Sequence, residues 1–158
     1  MPYEYRNLTP KPQEEIVARR EAMGFPPHAP PHPFRESGYY MFTAANYEHV
    51  PIINSPERRT DFQRRLLFAF QEIEAIIVAW VILANHYHIL ACVDLLDDVS
   101  ATLKQLHGST SFEWNLADGL QGKRKVWYKF SDRIIRGNEH YFRALNYIHY
   151  NPIKHEYV

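Results

Sequence analysis

Two apolar runs separated by a very short polar connection constrain the fold more than any other feature of this sequence. The first run, residues 75–84, is rich in β-branched residues, and the second covers residues 87–93. Both have the length and composition of strands. Asn85 and His86 leave room only for a tight turn, whereas a parallel pair would need a crossover of about a dozen residues or more. The sequence therefore predicts an antiparallel hairpin here.

A strand and a helix are predicted before this hairpin. Residues 39–47 are rich in aromatic side chains, which strands favour. Ser55 followed by Pro56 is typical of a helix start, because serine caps free N–H groups and proline fits the first helical position. Apolar residues then repeat at helical spacing, at positions 62, 66, 70 and 73.

Two helices and one strand are predicted after the hairpin. Asp97 begins a helix whose apolar positions 99, 103 and 106 share one face. Residues 123–135 mix aromatic and basic side chains and are predicted to contain a fourth strand. A last helix is predicted from near Asn138 to Asn151, because Pro152 disfavours helical geometry in the residue before it.

The order strand, helix, strand, strand, helix, strand, helix defines the predicted fold class. It is an α+β, ferredoxin-like split βαβ arrangement with an antiparallel sheet and one additional C-terminal helix. This domain is predicted to span residues 38–158. Residues 1–37 hold eight of the chain's 11 prolines around a short helical stretch at 13–23. We expect them to form a proline-rich N-terminal arm that packs on the domain.

Composition places few limits on function. Lys plus Arg and Asp plus Glu number 18 each, so the net charge is zero and any nucleic-acid binding must depend on charge distribution. A single cysteine excludes an intrachain disulfide and suits a reducing compartment. The N-terminus lacks a signal pattern, and the longest apolar run is far shorter than the roughly 20 residues of a membrane-spanning helix. We therefore expect a soluble, cytoplasmic protein without membrane contact.

The element His86-Tyr87-His88 is the first indication of chemistry. Residues two apart on a strand point to the same face, so both imidazoles would leave one side of the sheet. Two neutral imidazoles side by side form half of a divalent-metal site. The alternative interpretation is a pair of partly buried histidines satisfied by hydrogen bonds. A metal site would need a further ligand from elsewhere in the chain.

The last predicted helix offers both a ligand and a nucleophile. Tyr147 and Asn151 are four residues apart and are therefore neighbours on one helical face. The buried stripe is predicted at positions 141, 145 and 148, which leaves Tyr147 off the stripe with Arg143 and Asn151 beside it. Tyr150 is also off the stripe and is the rival candidate. The alternative is that either tyrosine is a partly exposed packing residue.

A basic segment precedes this helix. Between residues 121 and 136, six cations and interleaved aromatic residues accompany one acid, Asp132. Cations that neutralise phosphates and rings that stack on unpaired bases form surfaces for single-stranded DNA. The alternative is a solvated strand edge protected by lysines. The complete set of predicted DNA contacts is Lys104, Lys123, Arg124, Lys125, Trp127, Lys129, Arg133, Arg136, Arg143 and Lys154.

Four segments of the chain, taken together and in this order, resemble a known family. They are LANHYHIL (83–90), LKQLHGSTS (103–111), GKRKVWYKFSDR (122–133) and YIHYNPIKHEYV (147–158). They resemble the IS200-like transposases, and most closely the branch of REP-associated tyrosine transposases, over about residues 38–158. The resemblance implies an HUH-type nuclease with His86 and His88 as the metal-binding pair and Tyr147 as nucleophile. Asn151 would be the third ligand, where insertion-sequence relatives carry a glutamine.

The activity that this resemblance implies is cleavage and rejoining of single-stranded DNA. Tyr147 would attack a phosphodiester, leaving a 5′-phosphotyrosine and a free 3′-hydroxyl, and a second 3′-hydroxyl would reverse the step. Two imidazoles with oxygen ligands and open positions suit Mg²⁺ or Mn²⁺. Zinc is expected only if a further His or Cys approaches, and Cys92 lies too far along the strand.

The expected partner is single-stranded or hairpin DNA, with REP-like palindromes implied by the resemblance, bound by a monomer or a homodimer. Two alternatives stay open. One is a domesticated hairpin-binding protein without catalysis, which would bind DNA independently of metal. The other is a phosphodiesterase that uses water as nucleophile, which would leave no covalent protein–DNA species.

Overall fold

A computed structural model of the chain describes residues 37–120 and 124–157, together with the isolated positions 15, 18, 19 and 22. Most of the predicted N-terminal arm, residues 1–37, therefore lies outside the described residues. The elements within them are, in chain order, β1 (Gly38–Ala45), α1 (Pro56–Glu72), β2 (Ile76–Ile82), β3 (His86–Val93), α2 (Leu96–Ala117), β4 (Ser131–Ile134) and α3 (Gly137–Lys154).

The four strands form an antiparallel sheet in the order β2-β3-β1-β4. Strand β1 lies between β3 and β4, and β2 pairs with the outer side of β3. The predicted hairpin is β2 and β3, closed by a bond of 2.8 Å from the Leu83 N–H to the His86 carbonyl. The chain forms two β-α-β units, β1-α1-β2 and β3-α2-β4, whose first strands β1 and β3 pair at the centre of the sheet. This is the ferredoxin-like α+β fold that the sequence predicted.

Helices α1 and α2 cover one face of the sheet. The start of α1 is the predicted one: the Ser55 hydroxyl accepts from the Arg58 N–H at 3.1 Å, and Pro56 is the first helical residue. The helix then buries the residues at positions 62, 66 and 70. These side chains join aromatic and aliphatic residues of β1, β3 and α2 in the main hydrophobic core, whose members include Tyr40, Phe42, Phe62, Phe70, Tyr87, Ile89, Leu103, Trp114 and Trp127.

Helix α3 covers part of the opposite face. Ala144 and Ile148 pack with Leu90 of β3 and with residues of β2, and Tyr141 and Leu145 lie at the margin of this second cluster. The predicted stripe of this helix is therefore correct, with Ala144 added. Tyr141 also meets Tyr39 of β1, and beyond this contact residues of β1 and β4, among them Thr43 and Ser131, line a cleft on the same face. No helix in the described part of the chain is long and apolar enough to cross a membrane.

The prediction that the last helix ends at Asn151 is wrong. Helix α3 continues through Pro152 to Lys154. A proline removes one helical N–H donor, but the turn that follows it keeps its own bonds: the His155 N–H donates to the Asn151 carbonyl at 3.2 Å, and the Tyr157 N–H donates to the Pro152 carbonyl at 2.9 Å. These bonds hold the helix past the position at which the local rule would end it.

Candidate active site

Strand β3 presents His86 and His88 on the sheet face that α3 partly covers. Tyr87 and Ile89 point into the main core on the other side, so the alternation of the strand separates the two histidines from it. The centroids of the two imidazole rings lie 5.1 Å apart, with the ring planes at 76°. His88 is buried, with 5% of its surface exposed. The predicted placement of both histidines on one face is confirmed.

Hydrogen bonds fix the orientation of both imidazoles. Asn85 donates its amide N–H to the His49 carbonyl at 3.0 Å, so its amide oxygen is the acceptor that faces the His86 Nδ1 atom at 2.7 Å. His86 therefore carries its proton on Nδ1 and a lone pair on Nε2. The His88 Nδ1 atom lies 2.6 Å from the Thr43 hydroxyl, on the residue paired with His88 in β1.

Both imidazoles are neutral at physiological pH. Burial lowers the pKa of His86 to about 4, and a nearby His155 acts in the same direction. Burial also lowers the pKa of His88 to about 3, with the neighbouring His86 and His155 as smaller causes. A neutral imidazole has a free lone pair, which is the form in which histidine binds metals. The His88 Nε2 atom is buried without a hydrogen-bond partner in the described residues.

Tyr147 of α3 reaches this histidine pair. Its ring lies edge-on to the His88 ring, with centroids 5.0 Å apart and planes at 78°. The residue is 40% exposed, and the Lys154 ammonium lies 5.9 Å from the centre of its ring. The rival Tyr150 is 65% exposed and does not line the cleft around the histidines. Of the two tyrosines, Tyr147 is the one beside the pair.

Asn151 lies one helical turn beyond Tyr147 but is buried, with 1% of its surface exposed. Its side chain lies close enough to His86 to raise the pKa of that imidazole slightly against the effect of burial. Neither amide atom makes a well-formed hydrogen bond within the described residues. Leaving a buried polar group without a partner costs about 1–3 kcal/mol. Such a group beside the His86 imidazole is suited to a ligand position.

These donors fit a divalent ion that retains open coordination positions. They comprise the Nε2 atoms of His86 and His88 and the amide oxygen of Asn151. Among the residues that the structure describes, no cluster of three or more His, Cys, Asp or Glu side chains has metal-binding geometry. A set of two imidazoles and one amide leaves positions for water and phosphate oxygens, which Mg²⁺ and Mn²⁺ accept readily.

Three residues at this site were not predicted from the sequence. The His155 ring lies 5.1 Å from the His86 ring, although it completes no three-histidine group with His86 and His88. Its spacing of one helical turn from Asn151 would have indicated it, had the helix been predicted to continue through Pro152. His49 and Thr43 come from distant parts of the chain and carry no local signal.

The histidines and Tyr147 line a cleft of about 860 Å³ whose walls carry positive charge. Arg133 of β4, Arg143 of α3 and Lys154 all line it, as does one acid, Asp132. Arg143 also forms an ion pair with Glu139 on the helix surface. Three of the predicted DNA contacts therefore surround the histidine pair, where they are suited to a phosphate backbone.

The remaining basic residues of the predicted set that the structure describes lie outside the cleft, in different parts of the fold. Lys104 is exposed on α2, across the sheet from the cleft, and Lys123 lies outside the described residues. Arg124 ties its loop to the end of α2, because it pairs with Asp118 at 2.7 Å and donates to the Asn115 amide oxygen at 3.0 Å. The members that are exposed outside the cleft are Lys125, Lys129 and Arg136.

The prediction that Trp127 contacts DNA is wrong. Its ring is a core residue, 7% exposed, stacked on the His107 ring with centroids 4.5 Å apart. Its indole N–H donates to the Thr110 hydroxyl at 3.1 Å. The segment turns inward at this position because it bridges to Asn46 at the end of β1. The adjacent Tyr128 is the more accessible ring.

Comparison with known proteins identifies the fold. No protein-family model and no curated protein sequence matches this chain. Among solved structures, it is similar to a REP-associated tyrosine transposase bound to a REP hairpin, with a TM-score of 0.63 and 21% identity over 82% of this chain and 76% of that one. It is also similar to a Deinococcus radiodurans protein provisionally described as a transposase, with a TM-score of 0.48 and 13% identity over 77% of this chain and 95% of that one.

The first of these structures shows which fold the described domain has. It is the fold of a tyrosine transposase, and the resemblance seen in the sequence is confirmed at that level. The hairpin is a ligand of the neighbouring protein.

Proposed function

We propose that this protein is an HUH-type tyrosine transposase, which cleaves and rejoins single-stranded DNA through Tyr147 with the help of a divalent metal. The observation that carries the proposal is the contact of the Tyr147 and His88 rings, 5.0 Å between centroids, in a cleft lined by cations. The fold shared with a REP-associated tyrosine transposase supports the same class.

His86, His88 and Asn151 would hold the metal. Two neutral imidazoles, with the Nε2 lone pair of His86 oriented through Asn85, and a buried amide without a hydrogen-bond partner among the described residues support this assignment. Mg²⁺ or Mn²⁺, when bound there, would draw electron density from the phosphate that is attacked.

Tyr147 is the nucleophile in this proposal. Its oxygen forms a bond to phosphorus while the bond from phosphorus to the 3′ oxygen breaks, and the phenolic proton ends on that leaving oxygen through solvent. The products are a 5′-phosphotyrosine and a free 3′-hydroxyl. A free phenol has a pKa near 10, so a cation close to the ring, such as Lys154, assists the attack. The phosphotyrosine keeps the ester, so a second 3′-hydroxyl rejoins the strands without ATP.

The substrate would be single-stranded or hairpin DNA, and REP-like palindromes are the first to test. Arg133, Arg143 and Lys154 would neutralise its phosphates along the cleft. The Tyr147 ring contacts His88 of the same chain. One chain therefore holds both the nucleophile and the metal-binding pair, which favours activity as a monomer over a dimer that exchanges tyrosines.

Incubation with labelled hairpin oligonucleotides tests the proposal, with Mn²⁺ or a chelator and a denaturing gel as the readout. The wild type and Tyr150→Phe should form a detergent-resistant adduct that requires Mn²⁺, and Tyr147→Phe should form none. The two variants are matched, since each removes one hydroxyl from α3. An adduct that persists in Tyr147→Phe and disappears in Tyr150→Phe would assign the nucleophile to Tyr150.

The same gel distinguishes the two alternative functions. A binding protein without catalysis would leave the oligonucleotide intact, with and without metal. A phosphodiesterase that uses water would shorten the oligonucleotide without forming an adduct.

A further inference from the structure

Four side chains form an aromatic platform beside the cleft: Tyr47, His49, Lys125 and Tyr128. The two tyrosine rings lie with centroids 5.0 Å apart and planes at 47°, and the His49 ring is 6.1 Å from that of Tyr128. The Lys125 ammonium lies 4.4 Å from the centre of the Tyr47 ring and 5.7 Å from that of Tyr128. His49 and Lys125 are exposed, and both tyrosines are partly so.

The platform is continuous with the histidine pair. His49 lines the cleft together with His86. The His49 carbonyl accepts from the Asn85 amide, and the oxygen of the same amide faces the His86 Nδ1 atom. One asparagine side chain therefore connects the platform to a predicted metal ligand. Of the four platform side chains, His49 lines the cleft itself, and the Tyr128 ring adjoins it.

Backbone hydrogen bonds hold the platform in place. The Tyr47 N–H donates to the Val126 carbonyl at 2.8 Å, and the Tyr128 N–H donates to the Ala45 carbonyl at 3.0 Å. Between Lys125 and Tyr128 the chain buries Val126 and Trp127, so the outer two side chains face solvent. The two ring-bearing segments are thus fixed against each other by the core beneath them.

The turn that carries His49 has an uncommon backbone conformation. Glu48 and His49 both have φ of 55°. That value lies in the left-handed region, which residues other than glycine rarely adopt. Such conformations persist where the surrounding structure enforces them, and they concentrate at ligand-binding sites. Here the turn places the His49 side chain on the rim of the cleft.

We propose that this platform binds an unpaired base of the DNA strand, at the nucleotide next to the phosphate attacked by Tyr147. The inference rests on the proposed function, because it takes a DNA strand in the cleft as given. Aromatic faces stack on every base, so the subsite tolerates any sequence. Lys125, displaced from the Tyr47 ring by the base, meets the adjoining phosphate. Tyr128 fills the role that the sequence analysis assigned to Trp127.

Fluorescence of 2-aminopurine tests the platform, because stacking on an aromatic ring quenches this base. The probe is a hairpin oligonucleotide with a single-stranded flank, carrying 2-aminopurine at one flank position at a time. The full chain with Tyr147→Phe and Mn²⁺ permits binding without cleavage. Quenching should be strongest at one or two adjacent positions beside the cleavage point. Replacing Tyr47 and Tyr128 by Leu should abolish it there and weaken binding roughly 5- to 100-fold.

Three further variants make the result specific. Tyr128→Phe keeps the ring and should keep the quenching. Phe112→Leu removes an exposed ring of α2, across the sheet from the cleft, and should change nothing. Lys125→Gln should lower the slope of log affinity against log salt concentration by about one. Quenching that survives the double Leu variant in a folded protein overturns the proposal.

The adduct assay separates this proposal from the function on which it rests. Position-specific quenching that requires both tyrosines, in a protein whose wild type forms no adduct, would retain the platform and reject the nuclease. If the wild type forms an adduct but quenching is unchanged when Tyr47 and Tyr128 are replaced, the nuclease proposal stands and the platform proposal is wrong. Failure to bind any oligonucleotide would overturn both.

Discussion

Replacing Thr43 by valine tests how the sheet prepares His88 for metal binding. The substitution removes the hydroxyl that lies 2.6 Å from the His88 Nδ1 atom and keeps the shape of a β-branched side chain in β1. The two residues are paired in the register of β1 and β3, and valine, like threonine, favours the strand conformation. The change therefore isolates one hydrogen bond. Under the proposed function, that bond would hold the proton on Nδ1 and leave the Nε2 lone pair for the ion.

The expected loss of Mn²⁺ affinity follows from the burial of His88, whose surface is 5% exposed. Without Thr43, an Nδ1–H group would be buried without a partner, at a cost of about 1–3 kcal/mol. Moving the proton to Nε2 would not avoid that cost, because Nε2 is also buried without a partner in the described residues, and it would remove the metal-binding lone pair. Either outcome weakens the site. Loss of an outer hydrogen bond to a metal-binding histidine lowers affinity by about 10- to 100-fold, or about 1.4–2.7 kcal/mol.

The assay is a calorimetric titration of the protein with Mn²⁺ in the absence of DNA. Thr60→Val is the matched control. The Thr60 hydroxyl donates to the Pro56 carbonyl at 2.9 Å on the exposed surface of α1, so its loss should leave Mn²⁺ affinity unchanged. A Thr43→Val protein that binds Mn²⁺ within twofold of the wild type would refute the reasoning. It would show that Thr43 does not control the tautomer of His88.

Two further predictions concern stability. His107 bonds to the Tyr87 hydroxyl, and burial lowers its pKa to about 3. As the pH falls below about 6.5, the imidazole is protonated in the unfolded state before it is protonated in the folded state. The folded state therefore loses stability from about pH 6.5 down to about pH 3. Between pH 7 and pH 4, the free energy of unfolding of His107→Gln, measured by urea titration, should therefore fall by roughly 3 kcal/mol less than that of the wild type. Parallel plots of this free energy against pH for the two proteins would contradict the prediction. Tyr157→Phe removes the acceptor of the Ala84 N–H at 3.1 Å, and should lower the free energy of unfolding by about 1 kcal/mol; an unchanged urea midpoint would show that this bond contributes nothing.

The parts of the fold that depend on local pattern were predictable from the sequence. The hairpin around Asn85, the capped start of α1 at Ser55 and the buried stripe of α3 all follow from the spacing of residues within one element. The shared face of His86 and His88 follows in the same way, since it depends only on the alternation of one strand. Pro152 shows the limit of such rules, because bonds made by the residues after it keep the helix intact.

The parts of the site that depend on pairing between distant segments were not predictable. Thr43 meets His88 only because β1 and β3 pair in one particular register. Trp127 was assigned to the surface because it lies among basic residues, but the regular strand begins only at Ser131, so strand alternation could not tell which ring turns inward. The platform has the same origin, since Tyr47 and Tyr128 are brought together by the core beneath them.

The division of the site between β3 and α3 has a consequence for incomplete chains. Under the proposed function, a growing polypeptide exposes the histidine pair well before the helix that carries Tyr147 has been synthesised. A fragment cut between β4 and α3 would likewise keep two imidazoles and lose the phenol. An enzyme that breaks DNA would thereby be harmless during translation and again after proteolysis. Docking of one helix would be the event that creates the cutting activity.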